Sequence, residues 1–258
     1  YAGAVSNLPE LEAAAAGLCN VGFEPEFDQV IRGAPLIFRR GKTLLPSLSL
    51  ETLRIAQGAK NFSVKSSGAS GELSGGQHTG IIALKVGRFT IPTDGGGSIW
   101  AYYTRTAPKR TIPAWKIFET NFDRSTLEGT ICLIGTSAAG LKDIRSTPLN
   151  PAAPGVEVLA NIIEQIITQS FLKRPDWAIG AELLYLLALG LLLIFALGRG
   201  GAAWSAPVAV AAIAGTIGLS WHAFTAWRWL LDPILPSLGI FAVYASWSAV
   251  SFARTERD

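Results

Sequence analysis

Methionine does not occur anywhere in the 258 residues. There is no initiator residue, and Tyr1-Ala2-Gly3 opens neither the basic nor the apolar region of a signal peptide, so the chain is expected to be an internal segment of a longer protein. Cysteine is nearly as scarce, and Cys19 and Cys132 are too few for a disulfide scaffold. The two could pair in an oxidising compartment, but each sits in an apolar, strand-like context where a free thiol serves as a small buried hydrophobe. The two histidines are His78 in a Gly/Ser-rich stretch and His222 in an apolar one, which assembles neither a nucleophile with its base nor a metal-ligand spacing. Charge of one sign is lacking as well. The chain has 22 Lys and Arg against 19 Asp and Glu, a net +3 with no dense basic stripe, which argues against following a nucleic-acid backbone.

Hydrophobic residues make up 49% of the chain, and after Arg174-Pro175 they dominate it. Residues 177–197, 202–224 and 230–252 are each long enough to cross a hydrocarbon core of about 30 Å as a helix. Three antiparallel transmembrane helices are therefore expected within residues 176–253, with residues 254–258 beginning the linker that follows them. Glu182 and Asp232 are the only charges in the first and third spans, and each lies near a span end where it can anchor to water or headgroups. Trp177, Trp204, Trp221, Trp227 and Trp229 suit membrane interfaces. Ala211 with Gly215, and Ala214 with Gly218, place small residues at four-residue spacing, a signal for close helix packing.

Residues 1–175 have a different texture. The pattern predicts helices over Leu8–Gly17, from Pro46 to about Ala56 with Gly58 as its stop, and over Val156–Thr168. Strands are predicted at Cys19–Phe23, along the edge run Val30–Phe38 into a turn at Arg39–Lys42, at Ile81–Val86 and Arg88–Pro92 around Gly87, and at Ile99–Tyr103. A further buried strand is predicted at Thr130–Ile134, whose β-rich apolar run is bounded by glycines. Ser66–Gly80 has almost nothing to bury and is expected to be a surface loop. The fold class is α+β, a mixed or antiparallel sheet with flanking helices.

The run Leu127-Glu128-Gly129-Thr130-Ile131-Cys132-Leu133-Ile134-Gly135-Thr136-Ser137-Ala138, with Asp143, Thr147-Pro148-Leu149 and Pro154-Gly155-Val156-Glu157-Val158, resembles the C-terminal part of the second type of CHASE sensor domain. Ile91-Pro92-Thr93-Asp94 and the pieces between Asp28 and Ser47 carry the same likeness, which covers most of residues 17–175 and departs from the family at Ser66–Gly80. The resemblance implies an extracytoplasmic sensor of a bacterial cyclase or kinase. It further implies that the family's N-terminal half, with its own span, lies upstream of Tyr1. The sensor would then lie outside the inner membrane and Arg254–Asp258 inside, a choice that the nearly balanced loop charges leave open.

The loop 135–140 follows the predicted strand in the position where backbone amides can cradle an anion, but it has no Walker lysine or dinucleotide fingerprint. Thr136, Ser137 and Asp143 are the candidate ligand contacts, and Lys173, Arg174 and Pro175 are the candidate coupling segment between sensor and membrane. No catalytic residue, metal or cofactor is expected in this segment. ATP and a divalent metal would belong to an effector in the parent protein, for which an adenylate cyclase is preferred over a histidine or serine/threonine kinase. The expected partners are the lipid bilayer, a second copy in a homodimer and an unidentified extracytoplasmic ligand or protein, with no nucleic acid. A non-signalling membrane anchor is the competing reading.

Overall fold

The computed structural model describes residues 5–67, 80–136, 143–200 and 202–255. It divides into two compact units, Tyr1–Phe171 and Leu172–Asp258.

In the first unit a short helix α1 (Pro9–Ala14) precedes β1 (Gly33–Pro35), β2 (Ile37–Arg40) and β3 (Thr43–Pro46). Strands β2 and β3 form an antiparallel hairpin, and Gly41 supplies the φ of 59° that its two-residue turn requires. Helix α2 (Leu48–Ala56) starts at Ser47, whose hydroxyl accepts from the Leu50 amide at 3.2 Å. It stops at Gly58 (φ 62°), where the Gly58 and Ala59 amides donate to the Ile55 and Arg54 carbonyls. Next come β4 (Phe62–Ser66), β5 (Ile81–Val86) and β6 (Phe89–Pro92) in one antiparallel sheet, and β7 (Ser98–Trp100), which pairs with β1. Three 3-10 turns lead to the two-residue strands β8 (Ile144–Arg145) and β9 (Ala153–Pro154), and then to α3 (Gly155–Ile167). The architecture is α+β with small antiparallel sheets and flanking helices.

One core joins these pieces. Leu50 and Leu53 of α2, Leu84, Val86 and Ile91 of the sheet, and Val158, Ile162 and Ile166 of α3 are all at most 2% exposed and belong to one cluster. The two ends of Ser66–Gly80 pair at the closed end of the β4–β5 hairpin, where the Ser67 amide donates to the Gly80 carbonyl at 2.9 Å. Residues 68–79, with His78, lie outside the described residues.

Several expected elements differ. Helix α1 is only six residues long, and the predicted strand Cys19–Phe23 is reduced to a single bridge between Asn20 and Ser47. Strand β4 was not read from the sequence. The largest departure is Thr130–Ile134, which joins no ladder and leaves Ile134 99% exposed. Its apolar, β-branched composition records a tendency to be half-buried in a sheet, and that tendency is realised only where a neighbouring strand lies alongside. Here the chain arrives from a 3-10 turn through Gly129 at φ 68°, and only Leu133 reaches the core.

The second unit comprises the extended residues Leu172–Arg174 and three helices, α4 (Ala178–Gly200), α5 (Ala202–Trp227) and α6 (Ile234–Thr255). Among the described residues, two of them are long and apolar enough to cross a membrane, over Ala178–Ala196 and Ala206–Trp227, while the comparable apolar part of α6 is the shorter Ile234–Val250. Leu193, Ala209 and Ile240 form the centre of their packing. The small-residue pairs expected to pack helices do not do so within this chain. Ala211, Ala214, Gly215 and Gly218 are exposed, and a Cβ added at either glycine would meet no atom within 4 Å.

Candidate functional site

Helix α3 carries two stripes. Val158, Leu159, Ile162, Ile163 and Ile166 face the core, whereas Glu157, Asn161 and Gln165, spaced four apart, meet an extended segment that continues β7. The Gln165 side chain donates to the Trp100 carbonyl at 2.8 Å and accepts from the Tyr102 amide at 2.9 Å. Asn161 Oδ1 accepts from the Thr104 amide at 3.0 Å and from its hydroxyl at 2.9 Å, and the Thr106 hydroxyl donates to Glu157. The geometry fits because four helical residues rise about 6 Å, nearly the same as two extended ones. Residues 100–106 thus form a strap running antiparallel to α3, with its polar backbone satisfied by helix side chains. Beyond it, Arg110 grips Glu164 through two 2.8 Å bonds. Tyr103 points inward from the strap and donates to the Ile31 carbonyl at 2.9 Å, and burial pushes its hydroxyl pKa up to about 12.

Between strap, helix and the 147–153 turn lies a cleft of about 90 Å³, lined in part by Arg105, Thr106, Thr147, Asn150, Glu157 and Asn161. Most of its polar groups already serve the fold. Glu157 and Asn161 hold the strap, and the Thr147 hydroxyl exchanges bonds with the Asn150 backbone at 2.9 and 3.0 Å. Of the predicted ligand contacts, Ser137 lies outside the described residues and Thr136 is exposed. Asp143 lies at the start of α3, where its carbonyl accepts from Gly155 at 2.8 Å and its carboxylate packs so closely that a Cβ on Gly155 would lie 2.4 Å from Oδ1. Gly135 is equally close to Val156. The structure therefore brings both ends of loop 135–143 to the N-terminus of α3, but a carboxylate already occupies the position where that helix end would favour an anion.

The C-terminal end of α3 lies where the sequence pattern placed it. Gln169 takes φ 52° and the Gln169 and Ser170 amides fold back onto the Ile166 and Gln165 carbonyls, closing the helix. Lys173, Arg174 and Pro175 lie in the second unit, and each has a defined role there. Lys173 bonds through its backbone to Arg228 and Leu230, Arg174 Nη2 donates to Glu182 Oε2 at 3.0 Å, and the Pro175 carbonyl accepts from Ala178 at the start of α4. Sequence reasoning missed the strap. Its signal was the Glu157–Asn161–Gln165 spacing, which is indistinguishable from an ordinary solvated face until the segment beside it is known.

No group of three or more His, Cys, Asp or Glu residues positioned to hold a metal ion occurs among the described residues. The profile of the CHASE2 domain matches residues 2–197, well over half of the chain, running through α3, the linker and most of α4. No curated protein and no solved structure matches.

Proposed function

The chain belongs to the CHASE2 domain family, a sensor domain of signalling receptors, and from that premise we propose that it is the sensor and membrane-spanning region of a bacterial transmembrane receptor. Residues 1–175 would lie on the periplasmic side of the inner membrane, the apolar helices would cross it as three spans, and a cytoplasmic effector, an adenylate cyclase using ATP and a divalent metal, would follow. The observation that carries this reading is the position of α3. It is the last helix of the sensor unit, it is held along its length by the 100–106 strap, and the chain reaches the first membrane-capable helix only ten residues later. A ligand or partner that repositions the strap would move α3 with it, because the bonds between them are side chain to backbone and fix the register.

We further propose that the receptor acts as a homodimer, in keeping with the outward apolar side chains Trp115, Phe118 and Ile134 on the sensor unit. Membranes carrying the whole protein are expected to convert ATP to cyclic AMP. Phosphate transfer to histidine, serine or threonine instead would reassign the effector to a kinase, and the absence of either activity would favour a membrane anchor.

A further inference from the structure

The linker that enters the membrane unit does not connect to α4 alone. The Lys173 amide donates to the Arg228 carbonyl at 3.0 Å, and the Leu230 amide donates to the Lys173 carbonyl at 2.9 Å, a parallel bridge centred on Lys173 and Trp229. This places the linker on the loop joining α5 to α6. Arg228 holds φ 57°, unusual for a residue with a side chain, and its conformation turns the end of α5 so that the loop backbone meets the linker. A second connection runs through Glu182 of α4, whose side chain is 11% exposed. One carboxylate oxygen takes Arg174 at 3.0 Å, and the other takes the Asp232 amide at 2.9 Å, while Asp232 Oδ1 caps the first turn of α6 through the Ile234 amide at 2.8 Å. The Trp229 ring stands edge-on to Trp177 with centroids 5.2 Å apart and contacts Trp227 at 5.1 Å.

We propose that Leu172–Arg174 is a latch that fastens the incoming linker to α4 and to the α5–α6 loop together, so that a displacement of the linker moves the three-helix bundle as one body. The physical reason is backbone satisfaction. An extended segment at the edge of an apolar helix bundle must pair its amides and carbonyls, and the α5–α6 loop is the partner that does so. Glu182 is the positioning residue, because its two oxygens join the linker cation to the start of α6. An independently sliding first helix would have to break the two backbone bonds at Lys173 and the bond from the Asp232 amide to Glu182.

The test uses the whole protein in membranes, in a Cys19→Ser, Cys132→Ser background. A pair of substitutions Lys173→Cys and Trp229→Cys places two thiols across the bridge at a spacing suited to a disulfide. On mild oxidation the pair is expected to lose thiol labelling about ten-fold faster than a control pair of Lys173→Cys with Ala211→Cys, which lies more than four turns before the end of α5 at Trp227. Equal rates for the two pairs would overturn the latch. Because Trp229→Cys removes an aromatic contact, hydrogen exchange in the parent chain gives an independent reading. The Lys173 and Leu230 amides should exchange about ten-fold or more slowly than an unprotected amide, and Glu182→Ala should speed exchange at Asp232. Free exchange at Lys173 and Leu230 would equally overturn it. Neither measurement depends on an effector or a stimulus, so failure of the latch is distinguishable from failure of the receptor reading.

Discussion

Helices α3 and α4 are both rich in aliphatic side chains, yet they place them in opposite environments. In α3 Ile162 and Ile166 are at most 2% exposed and the polar stripe is engaged by the strap. In α4 only 11% of the membrane-length window is buried within the chain, and Leu184, Leu187 and Leu191 lie outward at 69%, 63% and 68% exposure. Water would penalise the outward leucines by roughly 1.5–3 kcal/mol each relative to an apolar surrounding, so lipid would suit α4, whereas α3 buries its main apolar stripe within the protein. Apolar content alone does not separate these cases. The polar residues do, since α3 spaces Glu157, Asn161 and Gln165 along one side, whereas Glu182 is the only charge between Ala178 and Ala196.

The contrast is broken most forcefully in the sensor core. Ile166→Ala is expected to destabilise the sensor unit by roughly 2–5 kcal/mol, read as a shift in its urea transition with the whole chain in detergent, because the side chain is fully enclosed. A cost below about 1 kcal/mol would mean that α3 packs less tightly than described. The complementary change on α4 is Leu187→Arg, which should lower membrane insertion by roughly 3 kcal/mol in an insertion assay, while Leu187→Ala stays within about 0.5 kcal/mol for folding. Unimpaired insertion of the arginine variant would remove α4 from the bilayer.

Smaller changes sharpen the contrast on the α3 side. Gln165→Leu keeps the bulk but strips the Trp100 carbonyl and Tyr102 amide of their partner, and it should cost about 1–3 kcal/mol in the same urea measurement. The subtlest effect is in alkali. The Tyr103 hydroxyl titrates near 12 in the fold, against about 10 in an unfolded chain, so its contribution is complete below about pH 10 and is lost as pH rises toward 12. The stability of Tyr103→Phe should therefore fall less steeply than that of the parent chain across that interval, and identical slopes would contradict the assignment.

Much of this was legible in the sequence because local chemistry enforced it. Gly58 stops α2 and Gly87 turns β5 into β6 as read, and the apolar spacing of α3 matches its buried face, whereas Pro46, read as opening α2, ends β3 and leaves Ser47 to cap the helix. Thr130–Ile134 was misread because strand formation depends on a neighbour, and an apolar β-rich run says nothing about whether one is present. The end of α3 at Thr168 was read correctly, but the left-handed conformation of Gln169 that closes it was hidden, because that conformation usually announces itself with glycine. At the candidate site the sequence singled out Lys173, Arg174 and Pro175 as a candidate coupling segment, but the attachment of Lys173 to Arg228–Leu230 is a contact between residues more than fifty positions apart and leaves no local signature.

The most direct test of the account is the sidedness of the chain's two ends. Single-cysteine variants Lys42→Cys and Asp258→Cys, made without Cys19 and Cys132, are exposed on intact cells to a membrane-impermeant thiol reagent. Three crossings with an extracytoplasmic sensor predict labelling at position 42 and none at position 258 until the cells are opened. Labelling at both positions would mean an even number of crossings, with α6 not spanning, and labelling at 258 alone would place the sensor in the cytoplasm and contradict the receptor reading.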